Sequence, residues 1–167
     1  SVWLHSKPVP NRLRLLKQWV EAGGALIMAG GYLSFQGIDG RARWRRTPVE
    51  DTLPVTCLPY DDRVEIPEGA VPHIVGPAHP IVADIEGPWP MILGINEVEL
   101  RNRGDVEVIA TLPEDQGGLP LLVTGTFGKG RTVAWTCDIS PHWLPHDFCN
   151  WPGYAKLWRN ILRWSIN

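Results

Sequence analysis

The chain has 167 residues, of which 44% are hydrophobic, so it is long enough for one domain with a buried core. Its 16 basic and 18 acidic residues give a formal charge of -2, which lacks the basic footprint that nucleic acid and anionic membranes select. Because no run approaches the roughly 18 apolar residues of a membrane span, we predict a cytoplasmic protein with neither nucleic-acid nor membrane partners.

The first predicted element is an amphipathic helix in "NRLRLLKQWVEAGG", with Asn11 as its N-cap and Gly23 at its end. The short apolar run "ALIM" that follows predicts a strand buried on both faces of a parallel sheet. Together they make half of a βαβ unit. Because the chain opens at Ser1 almost directly before this helix, we expect it to be a fragment of a longer domain.

The segment after Gly37 is rich in proline and arginine. Its "RARWRR" run, residues 41–46, is the main basic cluster; a solvated loop is the favoured interpretation and an anion- or strand-binding patch the alternative. "TPVEDTLP" predicts a short helical turn and "VTCLPY" a strand. The many prolines of residues 61–94 predict an irregular excursion.

The last third of the chain predicts antiparallel strands and a helix. "VEVIATL" and "PLLVTGTFG" read as strands, and Gly128-Lys129-Gly130 predicts a hairpin turn into "GKGRTVAWTCD". "GYAKLWRNILRWSIN" has helical spacing and should pack back on the sheet. We therefore expect a single α/β domain over residues 1–167.

A glycine-rich bend after "ALIM" is the first candidate site. Gly30 and Gly31 permit positive φ and close backbone approach, so their amides could hold an anion or oxyanion, although such bends also serve packing alone. In the frame of a nucleophile elbow, Tyr32 occupies the reactive position and Ser34 follows two residues later. A serine hydroxyl needs a partnered histidine to react.

The second candidate site is "CDISPHWLPHDF", which follows a predicted strand. Asp138 and His142 could form an acid/base pair, and a histidine that only anchors the Trp-rich loop is the alternative. His146 lies four residues after His142, but the prolines between and before them interrupt a regular helix, so we predict no metal site.

A third candidate site is "PYDDRVEIPEG". Asp61 and Asp62 could orient a cation or sugar hydroxyls, whereas an Asp–Arg pair with Arg63 would be structural. Asn96 lies near an expected strand end and could also contact a ligand. We therefore predict these four residues, with Gly30, Gly31 and Tyr32, as ligand-binding, and His142, Asp138 and Ser34 as catalytic.

The chain resembles the glutamine amidotransferase family of the class I-like superfamily and, more widely, trehalose-utilisation-type proteins. "NRLRLLKQWVEAGGALIMAGGYLSFQGIDGRARWRRTPVEDTLPV", "PYDDRVEIPEG", "HPI", "GKGRTVAWTCDISPHW" and "WPGY" carry the resemblance. It implies a flavodoxin-like three-layer sandwich with a mixed, partly antiparallel sheet. Family members have strands before the position of Val2, so this chain is expected to lack them and to expose a sheet edge to a second copy or a partner chain.

The resemblance also implies an activity that the residues do not support. Class I amidotransferases use an elbow cysteine with a histidine and a carboxylate after a late strand, whereas here Tyr32 occupies the elbow and Leu144 the carboxylate position. The three cysteines, Cys57, Cys137 and Cys149, are predicted to be reduced thiols outside any elbow. We predict binding of a small polar metabolite, without a cofactor and without glutamine hydrolysis; a hydrolase or transferase using His142 as base, and a structural partner in an assembly, are the alternatives.

Overall fold

A computed structural model describes residues 10–76 and 78–166, which form a mixed α/β fold. The helices are α1 (Arg12–Glu21), α2 (His146–Asn150) and α3 (Pro152–Ile166). The strands are β1 (Ala25–Ala29), β2 (Val55–Cys57), β3 (Arg63–Ala70), β4 (His73–Ile74), β5 (Ile92–Asn96), β6 (Val98–Leu100), β7 (Glu107–Thr111), β8 (Pro120–Phe127) and β9 (Gly130–Trp135). Short 3₁₀ helices span Ile38–Gly40, Glu50–Thr52, Pro80–Val82 and Glu114–Gln116.

The main sheet has five strands in the order β1-β9-β8-β7-β4. β1 runs parallel to β9, and the other neighbours are antiparallel. Two-stranded antiparallel ribbons, β2-β6 and β3-β5, lie outside this sheet. The predicted mixed, partly antiparallel sheet is confirmed.

Helix α1 forms where its capping residues predict it. The side chain of Asn11 accepts hydrogen bonds from the amides of Leu13 and Arg14, which would otherwise lack partners in the first turn. Gly23 follows the helix with φ +124°, a conformation that favours glycine. The chain then turns directly into β1.

Alternation along the central strands gives the sheet two buried faces. Leu122 on β8 and Trp135 on β9 belong to a large cluster that includes residues of α3, β3 and β5. Their neighbours Val123 and Ala134 point to the other face, where a second cluster includes Phe35. The sheet therefore lies between two packed layers, as the resemblance implied.

The proline-rich segment is more regular than its composition predicted, since it contains β3, β4 and β5. Pro67 is accommodated within β3 because the register with β5 shifts between Glu65 and Ala70, where no ladder hydrogen bond is required of it. Cys137 lies two residues beyond β9, and Cys149 lies in α2.

The fold brings several chain segments to one edge of the main sheet. Because β1 and β9 are parallel neighbours, the bend after Ala29 and the loop after Trp135 emerge side by side. The end of β5 joins them, since the amide of Asn96 donates to the carbonyl of Thr136 (2.8 Å). In the part of the chain that the structure describes, no helix is long and apolar enough to cross a membrane.

Candidate functional site

The glycine bend is closed by hydrogen bonds within the protein. The amide of Gly30 donates to the carbonyl oxygens of Trp135 (2.7 Å) and Cys137 (2.9 Å). A methyl group on Gly30 would lie 2.1 Å from the carbonyl oxygen of Thr136, so only glycine fits there. The amide of Gly31 donates to Oδ1 of Asn96 (2.8 Å). Both amides predicted to hold an anion are thus engaged with protein acceptors.

A buried pair, Asn96 and Asp62, forms hydrogen bonds with the backbone of the glycine bend and of the loop after it. Nδ2 of Asn96 donates to Oδ1 of Asp62 (2.7 Å) and to the carbonyl of Gly31 (3.2 Å). The Asp62 carboxylate also accepts from the amides of Gln36 (2.7 Å) and Gly37 (2.9 Å). Burial raises the pKa of Asp62, and these hydrogen bonds oppose the rise. The pair therefore connects the bend to the following loop from inside the protein.

Asp61 and Arg63 form a bidentate ion pair beside Tyr32. We call the partly or fully exposed side chains of Tyr32, Asp61, Arg63, Glu65 and His142 the rim of the site. Nε and Nη2 of Arg63 lie 3.0 and 2.8 Å from the two carboxylate oxygens of Asp61, which also accepts from the amide of Asp39. The hydrogen bond from Arg63 holds the pKa of Asp61 well below its usual range. The guanidinium of Arg63 also lies over the Tyr32 ring, 4.7 Å from its centroid.

Asp138 and His142 form the pair with the clearest chemical capacity. Oδ2 of Asp138 lies 2.6 Å from Nδ1 of His142 and accepts from the amide of Trp143 (2.9 Å). A carboxylate oxygen accepts, so Nδ1 of His142 is the donor in this contact, and in the neutral form of the imidazole Nε2 is an acceptor. The His142 side chain is 47% exposed and that of Asp138 14%. The imidazole can therefore accept a proton or a hydrogen bond from a ligand.

Glu65 completes the cluster, although no motif in the sequence points to it. The Tyr32 hydroxyl donates to Oε1 of Glu65 and the Trp143 indole N–H donates to Oε2, and each donor–acceptor distance is 2.8 Å. Tyr32 packs edge-on against His142, with 4.6 Å between ring centroids. The hydrogen bond to Glu65 raises the pKa of Tyr32, so the phenol stays neutral. Strand alternation from Arg63 would have placed Glu65 on the same face as that arginine.

Ser34 lies in the bend and bonds to its own loop. Its hydroxyl donates to the carbonyl of Ala29, and its amide donates to the carbonyl of Gly31 (3.2 Å). Within residues 10–76 and 78–166, Ser34 has no hydrogen bond with His142. The structure thus brings Tyr32 and His142 together with the other rim residues and leaves Ser34 apart from them.

Two of the three thiols, Cys57 and Cys137, are buried in the hydrophobic core. Cys57 ends β2, Cys137 follows β9, and burial raises the pKa of both thiols. Cys149 is half-buried, with its Sγ 4.0 Å from the carbonyl oxygen of Leu144. Among the described residues, no group of three His, Cys, Asp or Glu side chains has an arrangement that could hold a metal ion.

Comparison with known proteins gives one family and several similar folds. The sequence profile of a family described as "Putative glutamine amidotransferase" matches residues 1–167. The search of curated proteins gives no match.

Two solved structures from Salmonella typhimurium are similar over nearly the whole of this chain. The cytoplasmic protein STM3548 is 40% identical with a TM-score of 0.89, and the cytoplasmic protein STM1381 of strain LT2 is 36% identical with a TM-score of 0.89. Each alignment covers 98% of this chain and 64% of the other, so the chain spans less than two thirds of these relatives. A thua-like protein from Parabacteroides merdae shares the fold at 15% identity and TM-score 0.54, over 92% of this chain and 64% of its own.

Proposed function

This chain belongs to the family described as "Putative glutamine amidotransferase", and we propose that it is an amidotransferase-like domain that binds a small polar metabolite and does not hydrolyse glutamine. The Asp138–His142 pair beside the exposed rim of Tyr32 and Glu65 is the observation that carries the proposal. The two Salmonella relatives are named as cytoplasmic proteins, and we propose the same compartment here.

The rim offers mixed hydrogen-bonding groups to a ligand. Nε2 of His142 accepts, the Glu65 carboxylate has lone pairs beyond those used by its two donors, and Nη1 of Arg63 lies 4.0 Å from Glu65 with no shorter contact to an acceptor in the described residues. Such a set fits a ligand that carries hydroxyl or amide groups and both donates and accepts.

A thermal-shift screen of polar metabolites tests the binding proposal. A ligand at about 100 times its Kd stabilises the folded state by about 2.7 kcal/mol, which for a chain of this size raises Tm by several degrees. We expect the shift to be lost in His142→Gln and kept in the control His146→Gln, whose exposed histidine lies outside the Asp138 pair. Equal shifts in both variants would place the ligand elsewhere.

An assay of ammonia release from glutamine tests the proposal that the domain does not hydrolyse glutamine. Thioester chemistry needs an activated thiolate, and the buried Cys57 and Cys137 favour the neutral thiol. We expect no turnover by the wild type above the uncatalysed rate. Turnover that is lost in Cys137→Ala or Cys149→Ala would overturn the proposal.

Hydrolysis with His142 as general base is the second candidate, favoured by its 2.6 Å contact with Asp138. The nucleophile would be water, because the Ser34 hydroxyl donates a hydrogen bond to the carbonyl oxygen of Ala29. Asp138→Asn would then reduce hydrolysis of any ligand found in the screen while leaving its binding largely intact. Retention of full activity in Asp138→Asn would exclude this mechanism.

A further inference from the structure

Two adjoining cavities, one beside α1 and the other beside β2 and β6, have Arg46 and Asp51 in common among their lining residues. The first, about 530 Å³, is also lined by Arg14, Lys17 and the carboxylate residue Glu21. The second, about 430 Å³, is also lined by Arg45, Arg101 and the carboxylate residues Glu50 and Glu99. Neither shares a residue with the Tyr32–His142 site. We call the two cavities together the basic groove, and their size suits a small-molecule ligand.

Arg46 holds an unfavourable backbone conformation at the centre of the groove. Its φ is +58°, a left-handed value that costs free energy in any residue with a Cβ. The Arg46 amide donates to Oε2 of Glu50, whose Oε1 accepts from the amide of Cys57 (2.7 Å). The buried Glu50 carboxylate is therefore bonded to backbone and fixes this conformation.

The charge of Arg46 is left available by its neighbours. Asp51, which lines both cavities, pairs with Nζ of Lys17 (2.8 Å). Within the described residues, the guanidinium groups of Arg46 and Arg14 have neither a hydrogen-bonded acceptor nor an ion pair, and Arg45 uses only Nε, on the carbonyl of Cys57. Three guanidinium groups thus keep donors free at one groove.

We propose that the basic groove is a second ligand site, which binds a phosphate-bearing small molecule through Arg46, Arg14 and Arg45. The planar guanidinium presents paired donors that match phosphate oxygens, which makes arginine the side chain suited to this recognition. Arg46 lines both cavities, so it is the arginine that can reach a ligand in either one.

The test compares two glycine variants that relieve the same kind of strain. Arg43 has φ +61°, is exposed and does not line the groove, so Arg43→Gly is the matched control for Arg46→Gly. Each change removes one positive charge, and each is expected to raise Tm, because glycine accepts a left-handed φ without penalty. Inorganic phosphate and pyrophosphate serve as probes, with binding measured by isothermal titration calorimetry.

We expect the wild type to bind pyrophosphate more tightly than phosphate, with an affinity that falls as salt rises. Arg46→Gly should weaken pyrophosphate binding by about tenfold or more, whereas Arg43→Gly should leave it nearly unchanged. The inference is overturned if the wild type binds neither probe at millimolar concentration, or if the two variants bind pyrophosphate equally. A cooperative thermal transition at a raised Tm shows that both variants are folded.

Discussion

Glu65 orients two aromatic side chains of the candidate site, Tyr32 and Trp143. Glu65→Gln keeps the shape of the side chain but leaves a single acceptor oxygen for two donors. We expect the pKa of Tyr32 to fall toward its ordinary value, because the carboxylate that raises it is gone. Phenolate absorbance during an alkaline titration measures this shift, and the indole N–H resonance of Trp143 reports the other hydrogen bond.

The control for this substitution is Glu68→Gln on the same strand. Glu68 is exposed and has no side-chain hydrogen bond among the described residues. Its loss should leave both the titration of Tyr32 and the resonance of Trp143 unchanged. If Glu65→Gln behaves like Glu68→Gln, Glu65 does not orient the aromatic pair.

The Asp61–Arg63 pair predicts a dependence of stability on acid pH. Because Arg63 lowers the pKa of Asp61 in the folded state, the folded state releases this proton more readily than the unfolded state does. The stabilisation is therefore complete at neutral pH and is lost as pH falls below about 4. In urea unfolding, Asp61→Asn should be less stable than wild type at pH 7, with a smaller difference in acid; exposed Asp115→Asn should show no such trend.

At the scale of elements, the junction of β1 and β9 depends on close backbone contact at Gly30. Gly30→Ala would place a methyl group 2.1 Å from a carbonyl oxygen of the neighbouring segment, and backbone there has little room to move. We expect the free energy of unfolding to fall by roughly 1–3 kcal/mol, the usual cost of forcing extra atoms into a packed site. Chemical denaturation of the purified variant measures it.

Gly104→Ala is the control for this substitution, because a methyl group there would meet no atom within 4 Å. Its effect on unfolding should stay within about 0.5 kcal/mol of zero, as for most surface changes. Equal losses of stability in the two variants would show that the contact at Gly30 is not the reason for glycine at that position.

Local sequence patterns predicted those elements whose determinants lie within a few residues. The Asn11 cap of α1 and the glycine hairpin between β8 and β9 are of this kind, and both formed as predicted. The bond between Gly31 and Asn96 joins residues 65 positions apart, so it depends on the sheet topology and has no local pattern. The role of Glu65 was not predicted, because Pro67, two residues later, favours an irregular segment over the strand that forms there.

At the scale of the whole molecule, the outer edge of β1 has an apolar border. Trp19, Leu162 and Ile166 are more than half exposed and line a cavity of about 360 Å³ beside β1. β1 pairs only with β9 among residues 10–76 and 78–166, so within these residues its other side has no strand partner. An exposed strand edge with apolar flanks is suited to pairing with another strand.

This edge predicts that the isolated chain self-associates through two copies of β1. Sedimentation velocity over a range of protein concentrations should show a dimer that grows with concentration. Leu162→Glu should shift the population to monomer, because it would bury a charge in the contact. Met91→Glu, which changes an exposed apolar residue that does not line the cavity, should leave association unchanged. A wild type that stays monomeric at every concentration would contradict the prediction.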